Sequence, residues 1–372
     1  MRVLAAEIRR LELKLVESIR TASERHSKRP LVLVHVETDV GPGDGECDAL
    51  ATSRYSGESI DSAERELVTH LIPSLVEVDR NFASRGEAMA YLGVHKNTQM
   101  AVAALEMALL DADLKSAGRS LASYLGASRN VIVAGATIGI GSIRSVVSSA
   151  ESAVAEGISR LKLKISPGND VEPLTAIRAA LPDADLIADA NGSYQLARRE
   201  DREVLAQIDS LGLAAIEQPL PPDAFEDHAR LTDDLATPVL LDESIASVED
   251  LERAIELRAC SGIAIKPARL GGISAARDIH DRCVEEGLRL SIGGLFEGGL
   301  GRAASIAVGA LEGFDLPGDL GPSARYFADD ITDQHVLVDG NLPVPTGPGL
   351  GVELRMDVVD SVTTRSRLFK RS

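Results

Sequence analysis

The sequence predicts an α/β fold, a modified TIM barrel of the form (β/α)7β preceded by an α+β capping domain. The main observation is a series of five short apolar runs that each end in a charged residue, namely Lys164, Asp189, Glu217, Asp242 and Lys266. The steps between these charged residues are 25, 28, 25 and 24 residues. One strand with its helix and two loops takes about that length, so the spacing indicates consecutive βα units.

Eight candidate strands support the barrel. They begin near residues 131, 160, 185, 213, 238, 262, 288 and 314, and amphipathic helical segments lie between them at 142–156, 171–180, 247–258 and 273–286. Such regular alternation is typical of a TIM barrel. Gly, Pro and Asp dominate residues 317–350, where no helix is predicted. We therefore expect a barrel over 131–325 and a tail, 326–372, that packs back on the first domain and completes it.

Residues 1–130 form the predicted capping domain. Apolar and polar residues alternate over 3–18, a second strand covers 31–38 and a third begins at Gly45, so an antiparallel meander is expected. The polar segments 19–30 and 51–58 are interpreted as loops of a mobile lid. A capping box is predicted at 61–64, and a helix rich in small residues is predicted over 97–114.

Composition narrows the choice of partners. The net charge of −18 and the pI near 4.9 argue against nucleic acid and anionic membranes. The three cysteines are widely spaced and form no C-x-x-C pair, so neither a zinc site nor a disulfide framework is expected. No apolar run reaches transmembrane length, and the N-terminus lacks a signal-peptide pattern. These features predict a cytoplasmic protein that acts on a small molecule.

Three carboxylates are predicted to meet at the barrel mouth. Residues at the carboxyl ends of barrel strands face a common opening, so Asp189, Glu217 and Asp242 should converge there. Without compensation these charges would repel each other and lose hydration, and a divalent cation relieves both costs. Oxygen ligands without His or Cys favour Mg²⁺, with Mn²⁺ as a substitute.

Two lysines flank the predicted acids. Lys162 and Lys164 lie two residues apart on one strand and share its inward face, and Lys164 and Lys266 are expected on opposite sides of the mouth. A lysine beside a metal ion and a second lysine should have a lowered pKa and can act as a base near neutral pH. The arrangement suits removal of the proton next to a carboxylate, with the metal ion stabilising the enediolate.

Several of these residues have a simpler explanation, because a charge after an apolar run often marks only where a strand reaches solvent. The segment 299–304 fits G-x-G-x-x-A, but its place in the seventh unit favours a loop that holds a substrate carboxylate or amide at a helix N-terminus over a dinucleotide site.

Glu243 is expected behind Asp242, since neighbours on a regular strand cannot both point inward. Lys162 is assigned a supporting role. Glu297, expected at the end of the seventh strand, either orients a lysine or the substrate or is purely structural. The seven histidines fall on predicted loops and helix faces.

Short motifs follow one another in order along the chain: Lys162-Leu163-Lys164, Asp189-Ala190-Asn191, Glu217-Gln218-Pro219-Leu220, Asp242-Glu243-Ser244, Ile265-Lys266-Pro267, Gly293-Gly294-Leu295-Phe296-Glu297, Gly301-Arg302-Ala303-Ala304 and the tail 342–351. Together with Arg20-Thr21 and the segment 55–58, this set resembles the muconate-lactonizing subgroup of the enolase superfamily. Within that subgroup it is most similar to the branch of o-succinylbenzoate synthases and N-acylamino acid racemases. The resemblance covers nearly the whole chain.

The resemblance implies that Asp189, Glu217 and Asp242 bind Mg²⁺ and that Lys164 and Lys266 are catalytic. The residues implied to contact the substrate or to support the ligands are Lys162, Asn191, Glu243, Arg269, Gly294, Glu297, Arg20 and Tyr55. Arg269, three residues after Lys266, matches an arginine of the branch that includes racemases. A small carboxylate substrate and a homo-oligomer are expected.

The implied reaction is the dehydration that makes o-succinylbenzoate in menaquinone biosynthesis. The alternatives are racemisation of N-acylamino acids such as N-succinylamino acids, another muconate-cycloisomerase-like reaction, and a catalytically silent barrel that binds a carboxylate. Three departures from the family pattern bear on the substrate: Gly298 stands where Ser or Thr is usual, the segment 22–26 lacks the expected Phe and Gly, and Leu320-Gly321 replaces small hydroxyl residues. The family places these positions against the substrate, so they concern its identity rather than the chemistry.

Overall fold

The computed structural model describes residues 1–21, 24–78, 80–93 and 97–371, and its N-terminal part begins with an antiparallel meander. The strands are β1 (Val3–Arg20), β2 (Arg25–Thr38) and β3 (Gly41–Cys47), paired in that order. The predicted loop 19–30 is wrong over most of its length, because β2 begins at Arg25 and pairs with β1 from there. The long partner strand satisfies the backbone of this polar segment, which the local sequence does not reveal.

Five helices follow the meander within the described residues: α1 (Ile60–Glu66), which continues through a π-helical turn (Leu67–Leu71) into α2 (Ile72–Val76), then α3 (Arg85–Leu92), α4 (Gln99–Ser116) and α5 (Leu121–Leu125). The capping box predicted at 61–64 is wrong. Ser59 is the N-cap, and it exchanges side-chain hydrogen bonds with Ser62. The predicted helix over 97–114 is confirmed as α4. It lies so close to β3 that a Cβ on Gly45 would be 2.1 Å from the Ala104 carbonyl oxygen.

The barrel predicted from the strand–helix alternation is confirmed. After β4 (Val131–Val133), a parallel sheet runs in sequential order through seven strands with helices between them: β5 (Gly135–Ile138), α6 (Ile143–Ala155), β6 (Arg160–Lys164), α7 (Val171–Ala180), β7 (Asp185–Asp189), α8 (Arg199–Asp209), β8 (Ala215–Glu217), α9 (Phe225–Asp234), β9 (Val239–Leu241), α10 (Val248–Leu257), β10 (Gly262–Ile265), α11 (Ile273–Glu286), β11 (Arg289–Ile292) and α12 (Gly299–Gly309).

The predicted first and eighth strands both differ from expectation. The apolar run at 131 divides, and β5 rather than β4 is the first strand of the barrel. In place of an eighth strand, an irregular segment closes the ring: Leu316 N–H donates to the Leu290 carbonyl at 3.0 Å, and Gly135 N–H donates to the Leu320 carbonyl at 2.8 Å. A Cβ on Gly135 would lie 1.9 Å from the Gly318 carbonyl oxygen, so glycine is required where this segment passes β5.

The tail returns to the capping domain, as predicted. It contains a short 3₁₀ helix (Ser323–Arg325), β12 (Asn341–Pro343), α13 (Met356–Val362) and β13 (Thr363–Lys370). The strand β12 pairs with β4, and β13 pairs antiparallel with β1 to give the sheet order β13-β1-β2-β3. Among the described residues, no helix combines the length and the apolar character needed to cross a membrane.

Candidate active site

The barrel sheet brings the five predicted charged residues to one end. Lys164, Asp189 and Glu217 are the last residues of β6, β7 and β8, and parallel pairing sets Lys164 beside Asp189 and Asp189 beside Glu217. Asp242 and Lys266 directly follow β9 and β10. Side chains that are far apart in the sequence thereby become neighbours at the barrel mouth.

Two lysine–carboxylate pairs have the same geometry. Lys164 Nζ lies 2.6 Å from Asp189 Oδ2, and Lys266 Nζ lies 2.6 Å from Asp242 Oδ2. Both aspartates are fully buried. Burial removes most of the hydration of these charges, so each charge is stabilised by its ion-pair partner instead of by water.

Lys162 places a third positive charge beside the carboxylates, at the inner end of the site. Its Nζ donates to both carboxylate oxygens of Glu217 at 2.9 Å and lies 3.6 Å from Asp189 Oδ2. Burial raises the pKa of Glu217 to about 7, against the opposing effect of the Lys162 ammonium group. A further positive charge near Glu217 would favour its ionised form.

The acidic groups around Lys266 determine its pKa in this structure. Burial alone would lower the pKa of Lys266, but the Asp242 carboxylate and the other acidic groups around the lysine together outweigh burial and raise the pKa well above its ordinary value. The nearest charged neighbour of Lys266 in this structure is the Asp242 carboxylate and not a second lysine, and the lowering expected beside a metal ion stays a prediction. Burial would raise the pKa of Asp189, and the ammonium groups of Lys164 and Lys162 instead hold it below its usual range.

The donor set fits Mg²⁺. Asp189, Glu217 and Asp242 offer only carboxylate oxygens, the ligands that this ion prefers, and Asp242 Oδ1 accepts no hydrogen bond although an Arg269 nitrogen lies 3.0 Å away. Across residues 1–21, 24–78, 80–93 and 97–371, no three His, Cys, Asp or Glu side chains are already gathered around one point. The Lys164 and Lys266 ammonium groups each contact an oxygen of a candidate ligand, so an ion would compete with them for Asp189 and Asp242.

A cavity between the capping domain and the barrel mouth is lined by Lys164 and Lys266. The other lining residues are Thr21, His26, Leu50, Tyr55, Thr137, Asn191, Gly294, Leu295, Phe296 and Asp319. Of the predicted supporting residues, Tyr55, Asn191 and Gly294 thus face the cavity. Tyr55 Oη donates to Asp242 Oδ2 at 2.8 Å, so the capping domain reaches a candidate metal ligand directly.

Asn191 connects Lys164 to Glu243 through two hydrogen bonds. Asn191 Oδ1 accepts from Lys164 Nζ at 3.1 Å, and its amide donates to Glu243 at 2.9 Å. Asn191 adopts a left-handed backbone conformation, with φ of 45°, directly after β7 and its Asp189. This conformation turns the chain sharply and keeps the Asn191 side chain at the mouth.

The structure does not bring Arg20 or Glu297 into the cavity. Arg20 is exposed at the end of β1. The prediction that Glu297 ends the seventh strand is wrong. Glu297 lies in the loop between β11 and α12, where it accepts a hydrogen bond from Leu295 N–H at 2.6 Å. Arg269 contacts Asp242 and donates to the Ile245 carbonyl, so it supports a candidate ligand from behind.

The helix N-terminus predicted to hold a substrate carboxylate is already occupied by the protein itself. At the start of α12, Gly301 N–H donates to Glu46 at 3.0 Å and Gly299 N–H donates to Asp330 at 3.0 Å. Both acids are buried. The prediction for 299–304 is therefore wrong, because carboxylates distant in sequence satisfy these backbone donors.

Sequence reasoning missed three cavity residues: Leu50, Thr137 and Asp319. His26 lies in β2 and not on a loop, which also corrects the assignment of the histidines. Thr137 lies in β5 and Asp319 in the closing segment, so neither carries the signal of a charge after an apolar run. Of the predicted features, the departures at Ala22 and Ser23 and the histidine at 95 lie outside the described residues.

A capped barrel with lysines on both sides of three buried carboxylates defines a class, the metal-dependent enzymes that remove a proton next to a carboxylate. Two known protein families that match the chain agree with this class. The Enolase C-terminal domain-like family matches residues 145–358, and the Mandelate racemase / muconate lactonizing enzyme N-terminal domain matches residues 5–126. The chain belongs to the enolase superfamily, whose enzymes use Mg²⁺.

Similar proteins cover nearly the full length. An N-succinylamino acid racemase of Amycolatopsis sp is 42% identical over 98% of this chain and 98% of its own, and an o-succinylbenzoate synthase of Bacillus subtilis is 38% identical over 96% of each. An enolase superfamily member from Listeria innocua has a solved structure that superposes with a TM-score of 0.93 at 34% identity, covering 100% of this chain and 99% of its own.

Proposed function

We propose that this protein catalyses Mg²⁺-dependent removal of the proton next to a carboxylate, and that its reaction is the dehydration that forms o-succinylbenzoate. The observation that carries the proposal is the pair Lys164 and Lys266, which line one cavity beside three buried carboxylates. The relatives named o-succinylbenzoate synthase support the choice of reaction.

In this proposal Asp189, Glu217 and Asp242 hold the metal ion. The ion supplies positive charge that stabilises the electrons left on the substrate carboxylate when the proton departs. Its binding would also compete with Lys164 and Lys266 for Asp189 and Asp242. Each lysine would then be released from its ion pair with that carboxylate, and a lysine that gives up its proton can act as a base.

Lys164 takes the proton from the carbon next to the carboxylate. The electron pair of that C–H bond forms a carbon–carbon double bond as the hydroxyl leaves the neighbouring carbon. Lys164 returns the proton to that hydroxyl on the same face, so water is the leaving group and the lysine ends unchanged. Lys266 keeps its proton, and its positive charge steadies the developing anion from the other side.

A second candidate is racemisation of N-succinylamino acids. It is favoured by the position of the two lysines, since a racemase needs one base on each face of the reacting carbon, and by the relative that is 42% identical. In that reaction Lys164 and Lys266 both exchange protons with the substrate. The dehydration uses only one of them as a base.

A substrate panel tests both candidates. The purified protein is assayed with the o-succinylbenzoate precursor and with both enantiomers of N-succinylamino acids, in Mg²⁺ and in EDTA. We expect turnover that requires the metal, with the higher kcat/KM for the precursor. Preference for the N-succinylamino acids would establish the second candidate, and turnover in verified metal-free protein would contradict both.

A further inference from the structure

Asp319 is a fourth buried carboxylate at the barrel mouth, and the mechanism above does not use it. It is 6% exposed and lines the same cavity as Lys164 and Lys266. It belongs to the irregular segment that closes the barrel, where its N–H donates to the Ile292 carbonyl at 3.2 Å. Its place is therefore fixed by the backbone on the side opposite Glu217.

The Asp319 carboxylate joins three parts of the barrel. Oδ1 accepts from Gly294 N–H at 2.6 Å, and Oδ2 accepts from the Thr137 hydroxyl at 3.1 Å. Lys162 Nζ lies 3.0 Å from the same Oδ2. Burial would raise the pKa of Asp319, but the Lys162 and Lys266 ammonium groups hold it below its usual range, so the group is an anion.

Lys162 thus lies between two proposed metal ligands and Asp319. On one side it donates to Glu217 at 2.9 Å and lies 3.6 Å from Asp189, both proposed metal ligands. On the other side it meets Asp319. A buried ammonium group this close to two ligands would repel a divalent cation unless a second anion offset it.

We propose that Asp319 is a positioning residue that acts through Lys162: it draws the ammonium group toward the closing segment and offsets its charge, so that Glu217 and Asp189 can bind a divalent cation. The inference rests on the proposed metal site. It also gives the closing segment a role beyond barrel closure, because Asp319 enters the mouth from that segment.

A double-mutant cycle read by calorimetry tests the proposal. The Kd for Mg²⁺ is measured for the wild type, D319N, K162M and the double variant. We expect D319N to raise the Kd at least tenfold, because the Lys162 charge is then offset only by the metal ligands. In the K162M background the same Asp319 substitution should change the Kd less than threefold, since the charge through which it acts has gone.

Controls separate this role from a structural one. Thr137→Val removes a neutral hydrogen bond to the same carboxylate and should change the Kd less than threefold. Thermal unfolding in EDTA checks that each variant folds, and D319S replaces D319N in the cycle if D319N does not. An unchanged Kd in D319N, or an equal change in both backgrounds, would overturn the proposal. A wild type that binds no Mg²⁺ would overturn the proposed metal site itself, whereas tight wild-type binding with an unaffected D319N would overturn only the role of Asp319.

Discussion

Tyr55 of the capping domain accepts a hydrogen bond from Lys266 Nζ, 2.7 Å from its phenol oxygen. The centroid of its ring lies 5.0 Å from the same nitrogen. Since Tyr55 also donates to Asp242, one residue of the capping domain contacts both a proposed base and a proposed metal ligand. The position of Lys266 therefore depends on the capping domain as well as on the barrel.

Tyr55→Phe should impair Lys266 selectively. It removes a hydrogen bond to a charged group, worth about 1.5–3 kcal/mol, so we expect proton exchange at the enantiomer served by Lys266 to slow about tenfold or more. Exchange at the other enantiomer, served by Lys164, should change little. The measurement is NMR of N-succinylamino acid enantiomers in D₂O, with Arg20→Ala as a control because Arg20 is exposed and outside the cavity. Equal slowing of both enantiomers would contradict a selective effect on Lys266 and would indicate that Tyr55 acts through the shared ligand Asp242.

Asp242→Asn should abolish turnover and also destabilise the protein in EDTA. Lys266 and Arg269 both lie within ion-pair distance of Asp242, and removing one partner of a buried pair costs about 3–5 kcal/mol. Urea unfolding in EDTA measures the free energy of unfolding. Glu226→Gln breaks the exposed pair with Arg253 and should leave stability nearly unchanged. Unchanged stability of Asp242→Asn would mean that the buried pair contributes nothing to folding.

The sequence was sufficient to predict the barrel and the five charged residues at its mouth, because a strand end is a local feature. An apolar run followed by Lys164 or Asp189 can be recognised without knowing its neighbours. Asp319 could not be found in this way, since it lies in an irregular segment defined only by its contacts with β5 and β11. The position of β5 itself depends on the close approach of Gly135 to Gly318, which no periodic pattern records.

The misread helix N-terminus at 299–304 shows the same limit. A glycine-rich start of a helix exposes backbone donors, and locally it predicts an anion site. Whether the anion is a ligand or the protein depends on Glu46 and Asp330, which reach α12 from β3 and from the tail. Their contribution can be recognised only after the capping domain and the tail have been placed on the barrel.

His35 should make stability depend on pH in the alkaline range. The hydrogen bond to Asp44 raises the pKa of His35 to about 9, above its ordinary value of 6.5, although burial opposes the shift. A raised folded-state pKa contributes stability that is present below about 6.5 and is lost as the pH rises through about 9. Wild-type protein should therefore lose more stability between pH 6 and pH 10 than His35→Gln, as measured by thermal unfolding. Parallel profiles for the two proteins would show that the pair with Asp44 does not stabilise the fold.

Arginine substitutions separate the roles of the two lysines. Arginine keeps the positive charge but is a very poor base. If Lys266 contributes only charge to the dehydration, Lys266→Arg should retain part of that activity and lose racemisation, whereas Lys164→Arg should lose both. In D₂O, Lys266→Arg should still exchange the α-proton of one enantiomer through Lys164, because the two lysines lie on opposite sides of the cavity. Loss of dehydration in Lys266→Arg but not in Lys164→Arg would reverse the assignment, and normal exchange of both enantiomers by Lys164→Arg would remove Lys164 from the mechanism.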